Sequence, residues 1–446
     1  SGQSTDTLPN TLSNADKVYG LSKFWHEVKH NFVFLHQVDQ EKWEADYQAL
    51  ISEVQATSND YEYYRLLQKF CATLKDGHTN ISFPPEIRSQ LYTTYFGDYR
   101  LFLTNIEGKA VITRTNWSKK EELPIGTEVI KVNGLTTAAY IAQEVAPYIA
   151  SSTDYIVEDL SVTRLFRAPK GTRFEVEFKL PDGRYKTMNL VHTETTEKEV
   201  YPPFEDRALL DFKWLPNDIA YVALNSFSEE KIDALFVEKL PELYKAKAII
   251  VDLRYNDGGS TKIGLDILQY LTKDTLLYGS RSYSRLHIPS FKAWGAWTEA
   301  KDTIQNAWAK QEYLSYHDAY FHAFPYSADT IRLTQKRIVV PTALLTAHRT
   351  ASAAEDFLIY ADNQEHMVKI GEETFGSTGQ PILFQLPGGA NARVCTKNDT
   401  YPDGRPFIGY GIQPDIPVKV TLEDYQKNHD PVLAKAASYL ESKINF

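Results

Sequence analysis

The sequence predicts an α/β core, a mostly parallel sheet flanked by helices, preceded by a helical subdomain and a β-rich module. Three observations lead there. The runs 248–253 (AIIVDL) and 338–345 (IVVPTALL) are almost wholly apolar and each leads into a helical pattern, as parallel strands buried on both faces do. Residues 14–74 place apolar side chains at helical spacing. Between 92 and 191 that spacing gives way to short alternating strands and turns.

A chain of 446 residues has the length for two or three domains, and 43% hydrophobic with 24% charged residues is ordinary globular composition. The net charge of -10 is spread along the chain, which argues against the basic patch that a nucleic-acid surface needs. The 28 Tyr, 22 Phe and 7 Trp suit amphipathic contact surfaces such as a groove for polypeptide. Cys71 and Cys395 are far apart, without metal-ligand or C-x-x-C spacing; a disulfide between them is the alternative, and two buried free thiols are expected. No run is apolar enough to span a membrane. The polar stretch 1–13 reads as a disordered tether left after removal of a targeting segment. That implies export to the periplasm, cell envelope or medium, with a lipid anchor on the native form as one variant.

Residues 14–88 form the helical subdomain. Tyr19, Leu21, Phe24, Trp25, Val28 and Phe32 line one apolar face, and 61–74 is the most periodic helix. Gly77 stops it, which leaves His78 in a turn before the strand 80–83. A turn histidine is most often structural, and it is also a side chain suited to taking a proton near neutral pH. The β module covers 89–195, with strands at 99–104, 110–115 and 174–180, a turn at Asp182-Gly183, an Asn133-Gly134 turn and a helix over 137–149. The α/β domain, 196–446, holds strands at 219–224, 248–253, 338–345 and 368–371. Helices are expected over 229–244, from 260 to 272, from Ser352, and over 431–440. An aromatic-rich insertion at about 276–336, with Trp294, Trp297 and Trp308, is expected to pack over this core as a lid.

Two strand-to-helix turns concentrate the chemistry. In TAHRTASAAEDF (346–357) Ser352 stands on the first step of a helix, where free N–H groups can hold a developing oxyanion. The same Ser352 and Glu355 make an S-x-x-E capping box, which starts a helix and carries no chemistry. In RYNDGGS (254–260), Gly258 and Gly259 let the backbone come close to a partner. A phosphate and an oxyanion are both candidates, although the spacing is neither a Walker A nor a G-x-G-x-x-G pattern.

Four segments in this order, DGHT (76–79), DLRYNDGG (252–259), TASAAE (350–355) and GIQPDI (411–416), resemble the tail-specific (C-terminal-processing) and tricorn-core family of serine peptidases. The stretch 123–134 with its following helix resembles a PDZ-like module, placed between the first and second segments as in that family. The resemblance implies a ClpP/crotonase-like core, a PDZ-like domain that takes extended peptide, Ser352 as nucleophile, and an oxyanion hole from the N–H of Ala353 with that of Gly258 or Gly259. One branch of the family uses a lysine in a Phe-Gly-Lys-Gly turn. Here the turn is Phe375-Gly376-Ser377-Thr378-Gly379, so Ser377 holds that place, and Lys369 is the substitute to consider. The tricorn-like branch uses a histidine, and His78 matches it, although Gly77 replaces the serine before it. Ile408 occupies the position of the orienting glutamate. Asp403, Glu372 and Glu373 are the acids near in sequence, and His348 is a rival base.

The resemblance thus implies a serine endopeptidase with His78 as general base, acting on polypeptides recognised in part by their C-termini, without metal or organic cofactor. The alternative is a non-catalytic protein on the same scaffold that binds hydrophobic ligands or peptides. An esterase or amidase for small substrates would use the same site but leave the PDZ-like module idle.

Overall fold

The computed structural model describes residues 8–444; the part of the expected tether over residues 1–7 lies outside them. The chain forms two compact units. One comprises residues up to Gln90 with Ser280–Ser327 and Thr378–Ile408, the other Leu91–Gly279, Ala328–Ser377 and the residues from Gly409 on.

In the first unit, helices Asn14–Asn31, Gln40–Gln55 and Asp60–Ala72 each begin at a side chain that accepts a free N–H: Ser13, Asp39 and Asn59. Their faces bury Leu21, Phe24, Val28, Leu67 and Phe70, and Trp43 stacks on Phe70 with ring centroids 4.5 Å apart. Ahead of the helices, Thr11 is tied to Asp60 by its N–H and its hydroxyl, the latter at 2.7 Å. The strand Asn80–Ser82 pairs antiparallel with Asn391–Cys395, which pairs in turn with Pro381–Gln385. Most of the aromatic-rich stretch expected as a lid belongs to this unit. Its strand Arg281–Arg285 pairs with Phe321–Ala323 and Lys397–Thr400. The Arg285 guanidinium donates to the carbonyls of Lys29, His30 and Phe32, satisfying the open end of the first helix. Both cysteines are buried thiols.

The second unit opens with an antiparallel sheet. Its strands β1 (Tyr99–Ile106), β2 (Lys109–Asn116) and β3 (Glu128–Val132) precede helix α1 (Asp154–Thr163), and β4 (Arg173–Lys179) and β5 (Tyr185–Val191) follow it. The order is β5-β4-β3-β2-β1, closed by Tyr95–Phe96. Alternate side chains, Leu101, Ile112, Val129, Phe174, Val176 and Phe178, make its core. The helix expected over 137–149 is one turn of α-helix, Thr137–Tyr140, then a π-turn and a 3-10 turn, because Pro147 has no N–H to carry it on.

The second sheet runs through β6 (Leu210–Leu215), β7 (Ile219–Leu224), helix α2 (Lys231–Leu243), β8 (Ala248–Asp252), helix α3 (Thr261–Leu268), β9 (Thr342–Thr346), helix α4 (Ala353–Tyr360), β10 (Met367–Gly371) and β11 (Ile416–Pro417), before helix α5 (Pro431–Ile444). Its strands lie in numerical order from β6 to β11; β6 is antiparallel to β7 and all later pairs are parallel. β9 begins at Thr342 rather than 338, since Pro341 cannot donate to a ladder. Ile219, Ile250, Ala343, Leu345 and Ile370 pack against Val432, Ala436 and Leu440 of α5. The neighbouring parallel strands β8 and β9 deliver the turns that begin at Leu253 and Ala347 to the same edge of the sheet.

An ion network braces that edge. Asp252, 1% exposed, accepts the Tyr221 hydroxyl at 2.7 Å and Arg254 Nη2 at 2.8 Å, and Arg254 Nη1 reaches Asp430 at 2.8 Å. Arg254→Met strands a buried carboxylate and is expected to lower stability by about 3 kcal/mol, with partial recovery in Arg254→Met/Asp252→Asn. Urea unfolding of the three proteins checks this, and a single mutant as stable as the parent would refute it.

Candidate active site

Ser352 sits between β9 and α4 with φ 56° and ψ -118°, a backbone conformation that costs energy for a residue with a side chain. Such a sharp strand-to-helix turn presents a hydroxyl at the top of a parallel sheet. The preceding residues are tied to the β8 turn: Thr350 Oγ1 donates to the Leu253 carbonyl at 2.9 Å, and Ala351 N–H to that of Asn256 at 3.1 Å. Gly258 lies against the serine so closely that a Cβ there would stand 2.7 Å from Ser352 Cβ and 3.1 Å from the Ala353 nitrogen. Asn256 holds this approach, accepting the Gly258 N–H on Oδ1 and donating from Nδ2 to the Leu224 carbonyl, both at 3.0 Å. The Gly258 N–H is therefore engaged. Those of Gly259 and Ala353 have no hydrogen-bond partner among the described residues. Two open N–H groups near a hydroxyl are what a tetrahedral oxyanion requires.

Glu355, one turn into α4, is fully buried and does more than cap the helix. Its Oε1 accepts the N–H of Ser352 at 3.1 Å and of Ser377 at 3.2 Å. Its Oε2 takes the Thr374 hydroxyl at 2.6 Å and the Gly376 N–H at 2.9 Å. Burial pushes its pKa up to about 8, with the four donors pulling it back. Thr374 Oγ1 also accepts the Ile412 N–H at 2.7 Å, and the Gly409 N–H reaches the Gly376 carbonyl at 2.9 Å. The turn in which one branch of the resembled family carries its lysine is thus a strap fastened to the serine by one carboxyl.

The other expected residues have different surroundings. His348 faces three acids: Asp159 at 2.5 Å from Nδ1, and Glu372 and Glu373 at 3.5 Å and 3.6 Å from Nε2. Burial opposes its charge, but the Asp159 hydrogen bond and the Glu372 charge outweigh it and raise its pKa. A histidine held toward the protonated form is poorly suited to be a base. Glu372 is drawn into this cluster, and burial raises its pKa too. Lys369 Nζ is engaged by Asp362 at 3.5 Å and Asp415 at 3.7 Å. Asp403 is exposed and paired with Arg405 Nε at 2.7 Å.

His78 lies in the first unit. It is 9% exposed, and its N–H donates to Asp76 Oδ2 at 3.2 Å. Burial, and then the Arg393 charge, push its pKa down to about 4, while Asp399 pulls it up. Asp399 was not among the expected acids, and nothing in its spacing marks it. It is 1% exposed, accepts the hydroxyls of Ser282 and Thr378 at 2.6 Å each, and pairs with Lys397 at 3.2 Å. Tyr155 and Asp159 were also missed, although their four-residue spacing on a helix would have put them on one face.

Residues 218–418 match the family described as Peptidase family S41. A carboxyl-terminal-processing protease of Picosynechococcus sp. (strain ATCC 27264 / PCC 7002 / PR-6) is 24% identical over 253 residues, covering 56% of this chain and 49% of that protein. The chain thus spans about half the length of that curated relative. Among solved structures, mature CPAF complexed with lactacystin superposes with a TM-score of 0.67 at 13% identity, over 97% of this chain and 98% of that one. A second structure of mature CPAF gives 0.64 at 13%, over 97% and 96%. The likeness to these structures establishes a shared mixed α/β fold. The match over 218–418 is to the family that the four motifs resemble.

Glu355 yields a pH prediction. Its folded pKa of about 8 exceeds the ordinary 4.5, so the stability it contributes is full below the lower value and lost as pH rises through the upper one. Thermal unfolding across that window should show stability falling with pH in the parent and a flatter profile in Glu355→Gln. An identical slope in both proteins would contradict the assignment.

Proposed function

We propose that the chain is a serine endopeptidase of the tail-specific kind, with Ser352 as nucleophile and His78 as general base. The observation that carries this reading is the Ser352 turn, strained and flanked by the open N–H groups of Ala353 and Gly259, within an S41 domain. His78 takes the Oγ proton as Oγ bonds to the peptide carbonyl carbon. The carbonyl oxygen gains the negative charge and is held by the two N–H groups. Collapse breaks the C–N bond, His78 returns the proton to the leaving amine, and water hydrolyses the acyl-enzyme by the same route. With its pKa pushed down to about 4, His78 is neutral at pH 7, as a base must be. Asp399, rather than Asp403, is the acid assigned to it, because its charge acts on the imidazole and its own oxygens are fixed by Ser282 and Thr378. Gly258 is assigned to close approach and Asn256 to bracing.

In the same reading the antiparallel β module is PDZ-like and takes extended polypeptide, recognised in part by its C-terminus, along a sheet edge. The α/β core is ClpP/crotonase-like, and the protein works in the cell envelope or outside the cell. Among the described residues no helix is long and apolar enough to cross a membrane. One observation favours the second reading, a non-catalytic binding scaffold: the aromatic stretch leaves Trp297 89% exposed, with Trp294 and Trp308 about half exposed.

Fluorophosphonate labelling with peptide mapping separates the two. Labelling of Ser352 is expected in the parent and absent in Ser352→Ala, and no labelling of the folded parent would favour the scaffold. His78→Ala should lower kcat/KM by about 10³-fold or more. In the parent, the acid limb of kcat/KM should lie at about 4, because protonation removes the base there. Asp399→Asn, which removes a charge that raises the His78 pKa, should move that limb lower still. A limb at the ordinary histidine value, or activity that survives His78→Ala, would displace His78 from the role.

A further inference from the structure

Helix α1 of the β module carries Tyr155 and Asp159 one turn apart, and both reach the loops that hold Ser352. Asp159 Oδ2 lies 2.5 Å from His348 Nδ1, while its Oδ1 accepts from Asn105 Nδ2 at 3.0 Å. The Tyr155 ring stacks on the His348 imidazole, centroids 4.6 Å apart and planes 29° apart. Its hydroxyl donates to the Thr374 carbonyl at 2.5 Å. His348 stands four residues before Ser352, and the Thr374 hydroxyl is bound to the Glu355 that also holds the Ser352 N–H. One helix face thus grips the serine turn at His348 and the strap at Thr374.

The charges around the imidazole favour its cationic form. Besides Asp159, Glu372 and Glu373 face its other nitrogen from the loop after β10. Lys419 acts on Glu372 from beyond β11, and the nearby Tyr425 is influenced by Glu372 and Asp159. Arg349, next in the chain, is exposed and directed over the Tyr255 ring at 5.5 Å. Three carboxylates therefore meet one imidazole, and the imidazolium is the state that ties α1 to both loops.

We propose that Tyr155 and Asp159, acting through a cationic His348, are positioning residues of the peptidase reaction that set the Ser352 turn and the Thr374 strap. The inference rests on Ser352 being the nucleophile. A residue in a strained conformation keeps it only while its surroundings over-determine it. Loosening the His348 pin lets the turn relax, and misaligning a nucleophile lowers kcat rather than substrate affinity.

The test measures kcat and KM of the full chain on a fluorogenic peptide across pH, alongside fluorophosphonate labelling. In the parent, kcat should fall as pH rises through the His348 pKa, which lies above 6.5. Asp159→Asn should move that limb to lower pH and reduce kcat at neutral pH about tenfold, with KM within about twofold. Asp159→Glu should restore part of the loss, and Glu158→Gln, an exposed charge on the same helix, should change neither. Tyr155→Phe keeps the stacked ring and removes the hydroxyl's bonds to the Thr374 and Tyr410 carbonyls; it should cost about threefold in kcat and decides the matter if Asp159→Asn does not fold. Folded variants with the parent's kcat and pH limb, or a change confined to KM, would overturn the inference while labelling of Ser352 stands. A parent that neither labels nor hydrolyses peptide would instead remove the nucleophile, and this inference with it.

Discussion

The geometry around Ser352 depends on one buried carboxyl. Glu355 collects four donors, and they come from three places in the sequence: the serine turn, the start of the strap at Thr374, and its continuation at Gly376 and Ser377. A carboxyl with 0% exposure has lost its water, so each of those bonds replaces hydration that burial removed. Any movement of the strap away from the serine would leave an unsatisfied acid in the core. The strap extends the constraint to the Gly409–Ile412 stretch through the Thr374 hydroxyl and the Gly376 carbonyl.

The second constraint is steric. β8 and β9 are adjacent and parallel, so their following turns meet, and they meet closely enough that no side chain fits at Gly258. Asn256 spends both ends of its amide holding that contact, one on the Gly258 N–H and one on the β7 strand. The N–H groups left over, at Gly259 and Ala353, are open because the bracing uses their neighbours. At Gly259 a different crowding applies, since a Cβ would stand 2.2 Å from the Phe227 carbonyl. The two glycines of one motif thus answer to different neighbours.

Legibility in the sequence followed the range of the interactions. The strands 219–224 and 248–252 and the helix from Ala353 are written in local apolar pattern and capping residues, and they lie where the pattern puts them. Asp399 acts on His78 across the first unit, and Asp159 meets His348 across 189 residues of chain. No spacing encodes either pair. Sequence proximity suggested Asp403, but its neighbour Arg405 supplies both a backbone N–H and a guanidinium, so the acid is satisfied within its own exposed turn. The partners of the aromatic stretch are likewise distant in sequence: its strand Arg281–Arg285 pairs with Lys397–Thr400, and Arg285 donates to the carbonyls ending the first helix. Glu355 was legible as a cap because Ser352 is three residues away. Its role as a clamp was hidden because Gly376 and Ser377 are more than twenty residues on.

The two histidines considered as the base are driven in opposite directions, and the contrast argues for their roles better than either shift alone. His78 is buried with the Arg393 guanidinium acting on it, so its neutral form is favoured. His348 is also largely buried, but three carboxylates surround it, and the charged form prevails. Groups whose environments separate their proton affinities divide acid, base and structural duties between them. A neutral imidazole can accept a proton from a serine hydroxyl, whereas a cationic one can only donate to or anchor anions. His348, the histidine nearer to Ser352 in sequence, is therefore the weaker candidate for the base, and its charge is better matched to holding a loop than to turning over a substrate.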